Sequence, residues 1–267
     1  MPEGKVVLIT GASMGLGHAM AELVAEDGWT VFGTSRSPEE YAPEGWEMLA
    51  LDVTDDASVR ACVNGVMEQT GRIDALVNNA GYGLRAFAEE ATDEEVRAQF
   101  DTNYFGVHRM NRAVLPIMRE QGHGRIVNIS SLSGLIGTPP SGHYSATKHA
   151  LEGYSQTMRF EVAPFGIRVS VVEPGFTKSQ FRENLAEPAE PVAAYDEVRE
   201  RVREMTERAE KNAASAIAVA RTLRRVLRAG NPRLRYTCTR MDWLAAHMRC
   251  WLPEGVMHSI VRKVFGV

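Results

Sequence analysis

The sequence predicts an α/β fold built as a doubly wound parallel sheet, and three observations carry that prediction. Six short, β-branched apolar runs alternate with segments of helical period between Lys5 and Gly175. Each unusual loop (Gly11 to Gly17, Asn78 to Gly81, Ser130-Ser131, Pro174-Gly175) follows one of those runs, at the end where such sheets bind ligands. No linker or low-complexity stretch divides the 267 residues, a length that one α/β unit can fill. The chain is therefore read as a single domain, 1–267.

Residues 5–10 form a buried strand that stops at glycine. After Gly11-Ala-Ser-Met-Gly15-Leu-Gly17, the spacing of Met20, Leu23 and Val24 predicts a helix over 18–27, closed by Gly28. Strand, glycine turn and helix make the unit in which backbone N–H groups and a helix N-terminus face a pyrophosphate. The spacing here, G-x-x-x-G-x-G, is looser by a residue than G-x-G-x-x-G. Residues 30–34, 46–51, 73–77, 125–130 and 167–172 are the second to sixth strands. Between them the pattern predicts helices over 57–69, 93–120 and 144–163; Asp55 and Asp56 favour the start of the first of these. After Gly175 the alternation stops. A proline-bearing loop over 176–191 precedes helices over 195–211 and 213–229, and residues 234–238 supply a candidate seventh strand. The tail, 239–267, offers two short amphipathic stretches that make a helical extension.

A hydrophobic fraction of 44% and a charged fraction of 24% are ordinary for a soluble globular protein. At this length the core needs no disulfide or metal staple. Cys62, Cys238 and Cys250 form no C-x-x-C pair, which points to a reducing compartment and away from a metal site. Neither a signal sequence nor a membrane-spanning run is evident, so a cytoplasmic location is expected. A net charge of -4 gives no general attraction to nucleic acid. The charge is uneven, however: residues 212–267 hold ten Lys/Arg against Asp242 and Glu254, about +8, leaving about -12 elsewhere.

The chemistry centres on Tyr144-Ser-Ala-Thr-Lys148. At a spacing of four, phenol and ammonium leave the same helix face. The positive charge favours phenolate, so the tyrosine is expected to act as acid or base near neutral pH.

Thr10-Gly11-x-x-x-Gly15-x-Gly17, Asn78-Asn79-Ala80-Gly81, Asn103, Ser131, Tyr144-x-x-x-Lys148 and Pro174-Gly175 fall in the order seen in short-chain dehydrogenases/reductases. The thirteen residues from Ser131 to Tyr144 are also that family's usual separation. The sequence resembles the family over roughly residues 5–180, and the segment after 195 carries no family-wide motif. The resemblance implies a Rossmann-type fold and hydride transfer between a nicotinamide dinucleotide and a carbonyl/alcohol pair. It identifies Asn103, Ser131, Tyr144 and Lys148 as the catalytic set. Tyr144 handles the proton, and Ser131 steadies the oxygen where charge develops. Lys148 lowers the tyrosine's pKa and, by resemblance, bonds the nicotinamide ribose. Asn103 by resemblance holds a water beside Lys148; its other reading is a polar residue that kinks a helix. Ser130 and Ser133 compete for the serine role, and the spacing to Tyr144 favours Ser131.

The same resemblance assigns Gly11, Ser13, Met14, Gly15, Leu16 and Gly17 to the pyrophosphate turn. Asp52 and Val53 bracket the adenine, and Asn79, Ala80 and Gly81 line the cofactor floor. Pro174 and Gly175 approach the carboxamide, with Thr177 or Ser179 as its hydroxyl partner. The second strand ends in Thr34-Ser35-Arg36, without the carboxylate that NAD-preferring members place there. Arg36 matches a 2′-phosphate in forked geometry and Ser13 adds a hydroxyl, so NADP(H) is favoured over NAD(H). Many NADP-binding relatives carry arginine where this chain has Met14.

Residues 132–143 and the 176–195 loop are the expected substrate walls. Leu135, Ile136, Pro139, Pro140, Phe176 and Phe181 make them apolar, suiting a lipophilic ketone or secondary alcohol of hydroxysteroid or retinoid type. Residues 176–211 are read as a lid. The apolar faces of the tail are assigned first to core or subunit packing, with capping of the pocket or contact with a membrane surface as alternatives. The resemblance also implies a homodimer or homotetramer. An NAD-dependent alcohol dehydrogenase and a non-catalytic dinucleotide-binding sensor are the competing functions; the sensor has no need of all four catalytic positions, which are retained here.

Overall fold

The computed structural model describes residues 4–178, 185–211 and 213–266. In chain order, β1 (Val6–Ile9) leads to α1 (Gly15–Glu26), β2 (Thr30–Ser35), β3 (Glu47–Ala50), α2 (Asp56–Thr70), β4 (Ala75–Asn78), α3 (Asp93–Phe100), α4 (Gly106–Gln121), β5 (Gly124–Ile129), α5 (Gly142–Val162) and β6 (Ile167–Glu173). Then come β7 (Thr177–Lys178), α6 (Asp196–Lys211), β8 (Ala214–Ser215), α7 (Ala216–Arg228), β9 (Arg235–Thr237), α8 (Arg240–Trp251) and α9 (Glu254–Phe265).

Seven strands form a parallel sheet in the order β3-β2-β1-β4-β5-β6-β9. The chain winds outward in both directions from β1, which puts the crevice for a ligand beyond the carboxyl ends of β1 and β4. Residues Val6 to Ile9 are all fully buried. Alternate residues of a strand face opposite sides, so a strand covered by helices on both faces is apolar throughout. Val7 and Ile9 face a core with Met20, Leu23, Leu223 and Val226 of α1 and α7. Val6 and Leu8 face the other core, with Val63, Met110, Val114 and Met158 of α2, α4 and α5.

Several boundaries differ from the sequence reading. The first helix starts at Gly15 rather than at residue 18, so Gly15, Leu16 and Gly17 form its first turn. The helix expected over 93–120 is two helices, interrupted by a π turn at Asp101–Phe105. The interruption holds buried Asn103, whose amide bonds the backbone of Tyr82 on both sides, Tyr82 N–H donating at 3.0 Å and Nδ2 donating to Tyr82 O at 2.8 Å. A helical period cannot reveal that, because the apolar positions resume in phase. The two-residue pair β7 and β8, parallel and apart from the main sheet, was also invisible to periodicity.

Candidate active site

The loops after β1, β2, β4, β5 and β6 enclose a cleft of about 1460 Å³, closed on its far side by α8 and α9. At one end the glycine turn is shaped for close approach. Gly11 and Gly15 have φ of 66° and 59°, the left-handed region that favours glycine. A Cβ at Gly17 would run into Gly11 O and reach within 2.7 Å of Asn79 Nδ2, so only glycine lets α1 seat against this turn. No acidic residue occupies the first turn of α1, which leaves the positive end of its dipole facing the cleft without a competing carboxylate. Thr10 and Asn79 stitch the ends of β1 and β4 together. Asn79 N–H and Ala80 N–H donate to Thr10 Oγ1, each at 2.9 Å, while Asn79 Nδ2 donates to Gly11 O at 2.9 Å. These are the features a dinucleotide's pyrophosphate requires, and the residues present fit it.

Ser13, Met14, Gly15 and Leu16 line the cleft with Gly11, as do Arg36, Asp52, Val53, Asn79, Ala80, Gly81, Pro174, Gly175 and Thr177. Gly17 lies beneath them. Ser179 and Phe181 fall outside the described residues. At the end of β2, Ser35, Arg36 and Ser37 sit together. Asp52 is held below the ordinary carboxylate range: burial works against this, and is outweighed by hydrogen bonds from Thr54 and by the charges of Arg36 and Arg109.

Toward the other end, Ser131, Tyr144 and Lys148 line the cleft together. β5 ends at Ile129, which delivers Ser131 to the rim, and Tyr144 and Lys148 project from the first turns of α5. Ser131 is hydrogen-bonded to Tyr144, whereas Ser130 is turned into the interior, 4% exposed. Lys148 is buried, donates to Ile129 O at 2.9 Å, and lies with Nζ 5.7 Å from the centroid of the Tyr144 ring. The electrostatics depart from the simple expectation of a phenol acidified by its lysine. Burial pushes the Tyr144 phenol up to about 12, against the pull of its Ser131 hydrogen bond. Burial also presses Lys148 down to about 8, with the charge of Glu152 opposing. Desolvation penalises both charged forms and exceeds their mutual effect at this separation.

Asn103 is 1% exposed and does not line the cleft. Its Nδ2 donates to Thr147 Oγ1 at 3.2 Å as well as to Tyr82 O. Those bonds brace α5 just before Lys148. Leu135 is not in the cleft lining, while Leu132, Ile136, Pro139, Pro140 and Phe176 are.

Sequence reasoning missed one group and left the placement of a second open. The first stands behind Lys148. Arg235 Nε lies 3.0 Å from Glu152 Oε2 and 3.2 Å from Glu173 Oε1, two carboxylates buried at one guanidinium. Burial, and then the charge of Glu152, push Glu173 up to about 8. Glu152 stands one turn beyond Lys148 and Glu173 just before Pro174, so their spacing to known motifs was the available signal. The second group is the far wall itself: Met241, Ala245 and Met248 of α8, with Met257, Ile260, Val261, Val264 and Phe265 of α9. Val192 and Arg199, ahead of and within α6, are anchored at the buried carboxylate of Glu90, which accepts from Arg199 Nη2 at 2.6 Å and Val192 N–H at 2.9 Å. Burial pushes the thiols of Cys62 and Cys238 up to about 12, so neither is a nucleophile. Among the described residues no cluster could hold a metal ion and no helix is long and apolar enough to cross a membrane.

Residues 5–190 match the family model described as short chain dehydrogenase. The chain is 38% identical over 266 residues to a 3-ketodihydrosphingosine reductase of Bacteroides thetaiotaomicron, covering 98% of each. A short-chain dehydrogenase from Streptomyces avermitilis superposes with a TM-score of 0.80 at 34% identity, over 100% of this chain and 96% of that one. A Burkholderia phymatum member in complex with NAD (TM-score 0.80, 25% identity, 93% and 94% covered) and ElxO with NADP bound (0.73, 27%, 88% and 98%) are also similar. The chain belongs to the short-chain dehydrogenase/reductase family. It is an oxidoreductase of carbonyl and alcohol groups that works with a nicotinamide dinucleotide.

Proposed function

We propose that the chain reduces a hydrophobic ketone bearing a long aliphatic chain, with NADPH as the preferred cofactor. The observation that carries this reading is the far wall of the cleft, where α8 and α9 add methionine, isoleucine, valine and phenylalanine side chains beyond Tyr144. Unbranched methionines adapt to a flexible chain, and each buried CH₂ contributes about 0.8 kcal/mol. A steroid- or retinoid-like ring system is the bulkier variant of the same class. The Bacteroides relative points to the chain: 3-ketodihydrosphingosine is a long-chain amino ketone.

The bound dinucleotide supplies the hydride for reduction, or accepts it in the reverse direction. Tyr144 Oη donates its proton to the carbonyl oxygen as negative charge gathers there, and the O–H bond of the tyrosine breaks as that of the alcohol forms. A phenol near 12 is neutral at rest, as a donor must be, and a developing alkoxide is the stronger base. Ser131 hydrogen-bonds the same oxygen. Lys148 stabilises the phenolate left behind. Arg36, with Ser35 and Ser37 beside it, supports the 2′-phosphate of NADP(H).

The test follows NADPH and NADH consumption with 3-ketodihydrosphingosine and with ketones of decreasing chain length. Turnover that favours NADPH and rises with chain length is expected. Equal kcat/KM with both cofactors overturns the preference, and turnover confined to short ketones overturns the substrate class.

A further inference from the structure

We propose that α8 and α9 dock this protein on an anionic lipid surface, so that its substrate passes from the bilayer into the cleft. This rests on the lipophilic substrate proposed above and adds where that substrate is collected.

The first observation is continuity. Met241 belongs both to the cleft lining and to the outer surface, where it is 72% exposed; Val264 of α9 and Phe176, also cleft-lining, are 51% and 46% exposed. The apolar lining therefore runs out over its own rim. At 3.6 residues per turn, Leu244 and Trp251 lie beside Met241 and Met248 on the surface of α8, and Trp243 and His247 extend the sector further round. Trp243, Leu244 and Trp251 are 46%, 42% and 64% exposed. The three rings are assembled into a ridge: Trp243 stacks on His247 at 4.2 Å between centroids, and Trp251 meets both at 5.9 and 5.4 Å. An exposed contiguous sector of this kind marks an interaction site.

The second observation is charge. Arg240 lies within the same sector, Lys263 is exposed on α9, and Glu254 is the one exposed carboxylate of the two helices. Together α8 and α9 carry Arg240, Arg249, Arg262 and Lys263 against Asp242 and Glu254, a net of about +2. Tryptophan beside arginine, with apolar side chains on a helix lying flat, is the composition that seats at a headgroup boundary. Cations near an anionic leaflet each add attraction.

Charge also decides against a second copy on this face. An isologous contact through the tryptophan ridge would bring Arg240, in the same sector of α8, against its own copy with no exposed carboxylate of α8 to compensate. The molecule offers another face for self-association, where Phe105, Phe160 and Phe165 of the α4–α5 region are 48%, 73% and 45% exposed. The sequence alone ranked subunit packing ahead of membrane contact for this tail; the outward tryptophan ridge reverses that order.

The experiment is flotation of the full chain with vesicles of phosphatidylcholine mixed with phosphatidylglycerol, beside vesicles of pure phosphatidylcholine. Binding to the anionic vesicles, weakened by salt and accompanied by a blue shift of tryptophan fluorescence, is expected. Trp243→Ala with Trp251→Ala, and separately Arg240→Glu with Lys263→Glu, should each lower vesicle binding about tenfold or more. NADPH affinity, a check on folding, should stay unchanged, since none of these residues lines the cleft. Absence of binding to the anionic vesicles overturns the proposal. So does a tryptophan variant that converts an oligomer to monomer in sedimentation while leaving vesicle binding unaltered. Neither readout requires turnover, so failure here is distinguishable from failure of the ketone-reductase reading.

Discussion

The molecule before Gly175 and the molecule after it solve different problems. Before it, the residues at the strand ends are placed by backbone: Gly11 and Gly17 by close approach, Asn79 and Ala80 by the hydroxyl of Thr10, Ser131 by the end of β5. After it, apart from loop residues such as Phe176, the residues that reach the far side of the cleft do so as side chains on helices laid against it, such as Met248 and Ile260. Backbone geometry serves a ligand part that does not vary, namely a dinucleotide. Side-chain packing serves a part that differs between substrates, since a helix face changes its contour with one substitution while the sheet stays as it is. A change in the first region should therefore affect turnover of every substrate, and one in the second should sort substrates by size.

The largest expected effect tests the first half of that statement. Tyr144→Phe removes the proton donor and should lower kcat by about 10³-fold or more for all ketones, with NADPH affinity retained in a fluorescence titration. A loss limited to long-chain ketones would break the comparison. Next, Arg36→Ala should weaken NADPH roughly ten- to hundredfold, the value of a charge-assisted contact, and leave NADH nearly unaffected. Equal weakening of both cofactors would remove Arg36 from the phosphate site.

Val261→Trp sharpens the second half. Filling the far end of the cleft so that two methylenes are excluded forfeits about 1.6 kcal/mol, roughly tenfold in KM for a long-chain ketone. Short ketones and cofactor should bind as before. A uniform rise in KM would show that α9 shapes the catalytic end as well.

The last prediction leaves substrate and cofactor aside and concerns the carboxylates behind Lys148. Burial, then the charge of Glu152, raises Glu173 from 4.5 to about 8, so the folded protein holds a proton that the unfolded chain releases. Stability should fall as pH rises through that window. Glu173→Gln carries no such proton, and its urea-unfolding free energy should vary less between about pH 5 and 8. An unchanged slope would place that proton elsewhere.

Much of the first region was legible in the sequence. The alternation of six apolar runs with helices, and the order of Gly11, Asn79, Ser131, Tyr144 and Lys148 along them, are local or fixed-spacing signals. A buried parallel strand must be apolar on both faces, and a turn that backbone alone can line must be glycine, so residue type records the structure directly. Other features left no such record. The break at Asp101–Phe105 keeps the apolar positions in phase, and Asn103 shows its bracing role only once Tyr82 and Thr147 are beside it. The acidity of Tyr144 is set by desolvation, which depends on how many chain segments surround it. Arg235 reaches Glu152 across 83 residues of sequence.

The tail shows the limit most plainly. Its sequence determined that residues 239–267 form amphipathic helices, because spacing along one segment is enough for that. Which face of α8 would line the cleft through Met248, and which would leave Trp243 and Trp251 outside, was decided only when the helix was laid against the sheet. An amphipathic period states that a helix has an apolar side, and here the apolar residues exceed what one side can bury; only tertiary packing chooses which of them are covered.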